Sequence, residues 1–268
     1  MFTGVKMSIK ELAPNYYIRV KSVKELVGRG KRILNVGCGD GHFETFLKKN
    51  YKEVYGIDVN ENDIQIAKFL NPEKSVKHLV GSVYKLPFKP NYFDCVVATE
   101  VLEHLDDDKT AIKEIYRILK KRGKLIITVP YKNYPFTYDP INFILDRTIK
   151  KHLPIGVWGF GHVRLYDKSR LRKLLGKKFK IEKINTVLHS LVGIPENYYL
   201  INILQPLTKS DPLNKDAKKK DIETLKRRAL KKPSLPLRLI RNSIIRLDEK
   251  LFKGSEYSLN LILKAEKK

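Results

Sequence analysis

Residues Ile33–Leu47 read ILNVGCGDGHFETFL. A short apolar run fit for a buried parallel strand gives way to Gly37, Cys38, Gly39, Asp40 and Gly41, and then to helix-forming residues. Three glycines in five residues describe a backbone that turns sharply and lets a ligand approach where a Cβ would collide. Taken alone, the same loop also describes a tight strand-to-helix turn and nothing more.

The next strand adds a second element. Glu53–Ile57 (EVYGI) is followed by Asp58, 17 residues beyond Gly41. That is near the spacing at which an acidic residue closing a second strand meets ribose hydroxyls. Both elements point at one adenosine. A dinucleotide fingerprint, G-x-G-x-x-G, needs its third glycine at position 42, where His42 stands, and offers a helix N-terminus to a pyrophosphate. S-adenosylmethionine carries no phosphate; its methionine portion can lie along the backbone of Gly37, Gly39 and Gly41.

Four ordered segments then carry a resemblance: ILNVGCGDGHF, VYGIDVN, GSVYKLPFKPNYFDCVVATEVLEHL and IYRILKKRGKLIITVP. From Lys31 to Pro130 the chain resembles the class I S-adenosylmethionine-dependent methyltransferases, in the broad subgroup with an LPF…FD segment before the fourth strand. The resemblance implies S-adenosylmethionine as methyl donor, no metal, and a cofactor set of Gly37, Cys38, Gly39, Gly41, Asp58, Val59, Ser82, Val83, Thr99 and Glu100. Two positions depart from the family pattern. Asn35 stands where the first strand usually has Asp, and Ser82 where an acidic residue usually receives the adenine amino group.

Strands and helices alternate from Ile33 onward, which with right-handed crossovers gives an α/β, doubly wound, seven-stranded and mostly parallel sheet. This Rossmann-like methyltransferase fold is expected to carry helical insertions and an antiparallel last strand, Tyr257–Ala265, beside Phe179–His189. Helices are expected over Asn15–Gly28, His42–Asn50, Asn60–Leu70 with Asn60 as N-cap, Asp106–Lys121 and Lys168–Leu175. The expected organisation is an N-terminal helix or lid over 1–30, a cofactor-binding domain over 31–189 and 255–268, an aromatic acceptor-side insertion over 131–166, and a basic, partly helical insertion over 190–254. In the lid, Tyr17 or Arg19 is placed to reach the cofactor carboxylate; the plainer alternative is a helix that covers the sheet edge.

Glu100-Val101-Leu102-Glu103-His104 begins at the carboxyl end of the fourth strand, where open α/β sheets keep their ligands. His104 is a candidate general base for a hydroxyl acceptor. His162, in GHVRLY, is the second catalytic candidate, with Arg164 as a further acceptor contact. The acidic run Asp106–Asp108 reads as a solvated helix cap. In the insertion after the fifth strand, Tyr131, Tyr134, Phe136, Tyr138, Phe143, Trp158, Phe160 and Tyr166 suit either the wall of an acceptor pocket or simple packing.

Composition sets outer limits. The 268 residues are 42% hydrophobic, enough for a proper core, and Lys plus Arg at 54 against Asp plus Glu at 29 gives +25. Such an excess attracts polyanions, whether RNA or an anionic membrane. From Gln205 to Gly254 there are 15 Lys or Arg and 6 Asp or Glu, so +9 sits in this stretch. Asp216–Lys232 reads as a charged helix. Leu237–Phe252 places Leu237, Ile240, Ile244, Leu247 and Leu251 on one face and Arg238, Arg241, Arg246 and Lys250 away from it. A basic amphipathic helix of this kind over 237–252 suits a membrane surface, or else buries its apolar stripe against the domain. Cys38 and Cys95 fall in the glycine loop and a buried strand, which excludes a disulfide framework. No apolar run is long enough to span a bilayer, and Met1–Ser8 lacks the apolar region of a signal peptide. The expected location is the cytoplasm, with peripheral contact at the inner membrane surface.

The leading expectation is methyl transfer to a small or lipid-linked acceptor. The alternatives are tRNA or other RNA as acceptor, and a protein that binds the cofactor without transferring its methyl group. The acceptor atom and the oligomeric state are not written in the sequence.

Overall fold

The computed structural model describes residues 12–195 and 234–268. Seven strands form one sheet: β1 (Gly30–Val36), β2 (Tyr51–Asp58), β3 (Val76–Val80), β4 (Phe93–Thr99), β5 (Leu119–Pro130), β6 (Phe179–Val187) and β7 (Asn260–Lys267). Their order is β3-β2-β1-β4-β5-β7-β6. β1 through β5 pair in parallel, while β7 runs antiparallel to both β5 and β6. The expected topology, antiparallel last strand included, is the observed one.

The sheet is covered on both sides because its strands alternate between two apolar faces. Leu34 and Val36 of β1, Val96 and Ala98 of β4 and Leu125 and Ile127 of β5 join Ile112, Ile115, Leu171 and Leu175 in one cluster. The last four come from α4 (Asp108–Ile118) and α6 (Lys168–Leu175). On the opposite side Ile33, Cys95, Val97 and Ile126 meet Val20 and Val23 of α1 (Pro14–Leu26) and Phe46 and Leu47 of α2 (Glu44–Leu47).

Helix ends follow local chemistry. Asn60 caps α3 (Glu61–Leu70), its side chain accepting from the amides of Asn62 and Asp63. Asp167 caps α6 by accepting from Arg170 N. Two expected helices are shorter. Instead of His42–Asn50, only Glu44–Leu47 is α-helical, flanked by bonds that reach back three residues, such as Phe46 N to Phe43 O and Asn50 N to Leu47 O. α4 ends at Ile118 and passes directly into β5, because Lys267 Nζ takes the Tyr116 and Leu119 carbonyls at 2.7 and 2.6 Å. Arg122 then adopts φ 63° within the strand.

Beyond the sheet, α5 (Pro140–Thr148), α7 (Ser190–Pro195) and α8 (Leu235–Leu251) share an apolar cluster with the aromatic insertion. Tyr134, Tyr138, Tyr166 and Val157 are buried, so most of the insertion's aromatic side chains serve packing, while Phe136 and Phe160 face outward. α8 corrects the packing expected for an amphipathic helix. Its buried residues are Arg241, Ile245 and Asp248, whereas Leu237, Ile240, Leu247 and Leu251 are exposed. Asp248 accounts for this inversion. Its Oδ2 accepts from His189 N at 2.7 Å and its Oδ1 from Leu191 N at 2.9 Å, so the helix is pinned by a carboxylate that closes the start of α7. Arg241 lies 3.5 Å over the Tyr17 ring on the same side. The Asp216–Lys232 helix read from the sequence lies outside the described residues, as does the start of the N-terminal segment.

Candidate active site

The site is built at the carboxyl ends of β1, β2 and β4. After β1 the chain crosses toward β2, where Gly37 N and Cys38 N both donate to Ile57 O at 2.8 and 3.1 Å. Gly37, Gly39 and Gly41 all have positive φ, at 66°, 51° and 74°. Their surroundings differ. A Cβ on Gly37 would lie 2.4 Å from Val101 and one on Gly41 2.7 Å from Ala67, whereas one on Gly39 would meet nothing within 4 Å. Thus Gly37 and Gly41 are glycines because the loop packs closely, and Gly39 is the residue whose bare backbone faces open space.

Asp58 closes β2 beside that backbone. Its Oδ2 accepts from Gly39 N at 2.8 Å and its Oδ1 from Asn60 N at 2.9 Å. One carboxylate therefore ties the loop to the end of β2, and each oxygen keeps a lone pair for a ribose hydroxyl. Val59, 73% exposed, and Val80, 54% exposed, stand uncovered at the tips of β2 and β3. Apolar side chains left bare at a strand tip suit the faces of an adenine ring. Ser82 Oγ accepts from Tyr84 N at 3.2 Å. Val83 turns into the core and has only backbone to offer.

Beneath the loop lies a buried polar layer in which the sequence singles out Asn35 and Cys38 but not Glu44 and His78. Glu44 is wholly buried, accepts from Asn35 Nδ2 at 3.0 Å, and is pushed up to about 8 by burial, against which the Asn35 bond works in the opposite direction. Asn35 thus replaces the family's usual Asp with a donor that serves a second carboxyl group. A Cβ on Gly56 of β2 would come within 2.6 Å of Glu44, 2.8 Å of His78 and 2.9 Å of Cys38, so this glycine is needed for three side chains to converge. Burial holds the His78 imidazole down to about 4 and raises the Cys38 thiol far above its ordinary range, with Glu44 and Asp58 adding to the latter.

The turn after β4 completes the site. Glu100 has φ 54°, a conformation uncommon outside glycine and found where surrounding structure enforces it. Here Glu100 Oε1 accepts from Thr128 Oγ1 at 2.8 Å, and Oε2 pairs with Arg19 of α1 at 2.9 Å. α1 therefore reaches the site, with Arg19 meeting a carboxylate of the chain itself. Thr99 ends β4 just before it.

Glu103 and His104 follow in a single 3-10 turn, Leu102–His104. His104 Nδ1 lies 3.2 Å from Gly161 O, and its ring centroid is 4.9 Å from that of His162. The two candidate bases, far apart in sequence, are neighbours. Burial, followed by the nearby His104, lowers the His162 imidazole to about 4. Glu103 was missed from the sequence although it adjoins His104; it is completely buried, and burial together with Glu100 raises it well above the usual carboxylate range. Arg164 is not free for an acceptor. Its guanidinium donates to the carbonyls of Leu105 and Asp106 and approaches Asp108, tying the two loops together. Asp108 itself corrects the solvated-cap reading: it is buried and accepts from Tyr166 Oη at 2.8 Å.

A doubly wound sheet ending in β7 antiparallel, an open glycine backbone after β1 and an acidic residue at the tip of β2 define a class I S-adenosylmethionine-dependent methyltransferase domain. Residues 34–127 match the family described as "Methyltransferase domain", and the chain carries this domain. Among curated relatives, the uncharacterized methyltransferase YdaC of Bacillus subtilis (strain 168) is 32% identical over 120 residues, which cover 44% of this chain and 66% of that protein. The ubiquinone biosynthesis O-methyltransferase of Pelagibacter ubique (strain HTCC1062) is 31% identical over 164 residues, 56% of this chain and 66% of that one. The matches thus span just under two thirds of these relatives' length. The crystal structure of the N-methyltransferase NodS from Bradyrhizobium japonicum WM9 superposes with a TM-score of 0.54 over 96% of this chain and 98% of its own, at 15% identity. It shares the fold.

Proposed function

We propose that the chain transfers a methyl group from S-adenosylmethionine to a small or lipid-linked acceptor drawn from an anionic membrane surface. The residues present fit the donor. Gly39 leaves room for its methionine backbone, Asp58 retains acceptor capacity for its ribose, and Arg19 with Glu100 offers one charge of each sign to its carboxylate and amine. The bound donor supplies a methyl group already activated by the sulfonium. The protein's part is then alignment and exclusion of water, with His104 and His162 as the candidate residues on the acceptor side.

The observation that carries the membrane part of this reading is α8. Its basic side chains Arg246 and Lys250 and its apolar Leu237, Ile240, Leu247 and Leu251 are all exposed, an outward composition that costs free energy in water and is favourable at an anionic interface. Ile141, Ile144 and Ile149 of α5 and its flank are exposed as well. No helix among the described residues is long and apolar enough to cross a membrane. The relative from Pelagibacter ubique, by name an enzyme of ubiquinone biosynthesis, supports an acceptor of lipid type.

The test is co-sedimentation with vesicles containing anionic phospholipid, beside binding to bulk tRNA, both at moderate ionic strength, followed by transfer of radiolabelled methyl into lipid and RNA extracts. Vesicle binding that falls on the order of tenfold in Ile240→Asp/Leu247→Asp, with label in the lipid fraction, is expected. Label in RNA without vesicle binding would favour the RNA alternative and overturn the lipid reading.

A further inference from the structure

The turn after β4 and the loop before α6 bring three metal-capable side chains together: Glu103, His104 and His162, one ligand atom from each, all within 4.8 Å of one another. Glu103 is 0% exposed, and neither carboxylate oxygen has a hydrogen-bond partner. A buried carboxylate without hydrogen bonds is costly, and native structures hold one where a proton or a cation compensates it. His104 Nε2 stands 3.9 Å from Glu103 Oε1, too far for a hydrogen bond.

The His104 imidazole is oriented from behind. His104 presents Nδ1 to the Gly161 carbonyl at 3.2 Å, a contact that favours the tautomer with the proton on Nδ1 and leaves the Nε2 lone pair on the side of Glu103. The His162 Nδ1 is buried with no hydrogen-bond partner. A backbone carbonyl on the far nitrogen, as His104 has, is the arrangement that fixes histidine ligands in metal sites. The Glu103 carbonyl also accepts from Val163 N at 2.8 Å, so the segments carrying the three ligands are joined by a main-chain bond.

We propose that Glu103, His104 and His162 form a binding site for a divalent transition-metal ion of the Zn²⁺ or Mn²⁺ type. Two imidazoles and one carboxylate suit these ions better than Mg²⁺ or Ca²⁺, which prefer oxygen alone. Bonds of about 2.0–2.2 Å require a small inward rotation of the three side chains, and three protein ligands leave positions open for a further oxygen. The site lies in the same turn as Glu100. Resting on the methyltransferase reading, it narrows the acceptor to a hydroxyl compound: the metal binds the acceptor oxygen and lowers its pKa, and the O–H proton passes to water. The oxygen lone pair then forms the bond to the methyl carbon while the C–S pair stays on sulfur, giving a neutral thioether, an ether product and no net redox change.

The test uses the full chain without a polyhistidine tag, stripped with a chelator and titrated calorimetrically with ZnCl2, MnCl2 and MgCl2, and separately with S-adenosylhomocysteine. One equivalent of Zn²⁺ or Mn²⁺ is expected to bind at least about tenfold more tightly than Mg²⁺ and to raise Tm. His162→Ala and the isosteric Glu103→Gln are each expected to lose on the order of 100-fold in metal affinity while binding S-adenosylhomocysteine as the unmodified chain does. The latter result establishes that the variants are folded. Absence of stoichiometric Zn²⁺ and Mn²⁺ binding, or binding unchanged in both variants, overturns the site. Metal binding without S-adenosylhomocysteine binding would leave the site standing and remove the methyltransferase reading, so the two claims fail separately.

Discussion

Asp58→Ala is expected to weaken S-adenosylhomocysteine binding by at least about 100-fold, because one side chain performs two tasks. It accepts from Gly39 N at 2.8 Å and Asn60 N at 2.9 Å, fixing the loop whose backbone the cofactor follows, and it retains lone pairs for the ribose. Hydrogen bonds to a charged group contribute roughly 1.5–3 kcal/mol each, and about 2.7 kcal/mol corresponds to the stated loss. Asp58→Asn separates the tasks. Its amide oxygen serves one backbone donor while its NH2 faces the other, so it is expected to lose affinity with a smaller loss of Tm than Asp58→Ala. Calorimetry on both variants checks this, and affinity within threefold of the unmodified protein in Asp58→Ala would remove the ribose assignment.

Glu44→Gln is expected to stabilise the protein at alkaline pH and to flatten its pH dependence. The Glu44 carboxyl is raised from an ordinary 4.5 to about 8 in the folded chain, chiefly by burial, with the charges of Asp40 and Asp58 adding to it. Between these values the unfolded chain has released the proton that the folded chain retains, so stability declines as pH rises from about 4.5 and levels off above about 8. At about 1.36 kcal/mol per unit the ceiling of the decline is about 5 kcal/mol. Gln keeps the oxygen that accepts from Asn35 Nδ2 at 3.0 Å and cannot ionise. His78 in the same layer acts with the opposite sign, since an imidazole lowered to about 4 must be charged in the unfolded state alone between pH 6.5 and 4, which destabilises on the acid side. Denaturant melts of the unmodified chain and Glu44→Gln are expected to diverge far more at pH 8 than at pH 5. Equal stability at both would mean that Glu44 is ionised and compensated by a group outside this layer.

The parts of the molecule that could be read from the sequence are those set by neighbours in the chain. β3 and α6 have the expected bounds because each is framed by local signals, Gly81 after one and the Asp167 cap before the other. Asp58 could be placed because strand length and crossover spacing fix where β2 ends. Glu44 and Glu103 could not, because a carboxylate's burial depends on the side chains the fold brings beside it: Asn35, Gly56 and His78 for the first, His162 for the second. The adjacency of Glu103 to His104 at the end of a strand was the available signal. α8 shows a different limit. Its period identifies two faces, but which one is covered was decided by Asp248 finding three amide donors in His189, Leu191 and Val192. Of the three loop glycines, only the structure separates Gly39, which faces open space, from Gly37 and Gly41, which meet Val101 and Ala67.

The central claim is that the crevice over β1 and β2 holds a sulfonium nucleoside and no pyrophosphate. Parallel calorimetric titrations of the unmodified chain with S-adenosylhomocysteine and with NADH test it most directly. Saturable one-to-one binding of S-adenosylhomocysteine, without heat from NADH, is the predicted result. Saturable binding of NADH that S-adenosylhomocysteine cannot displace would contradict it.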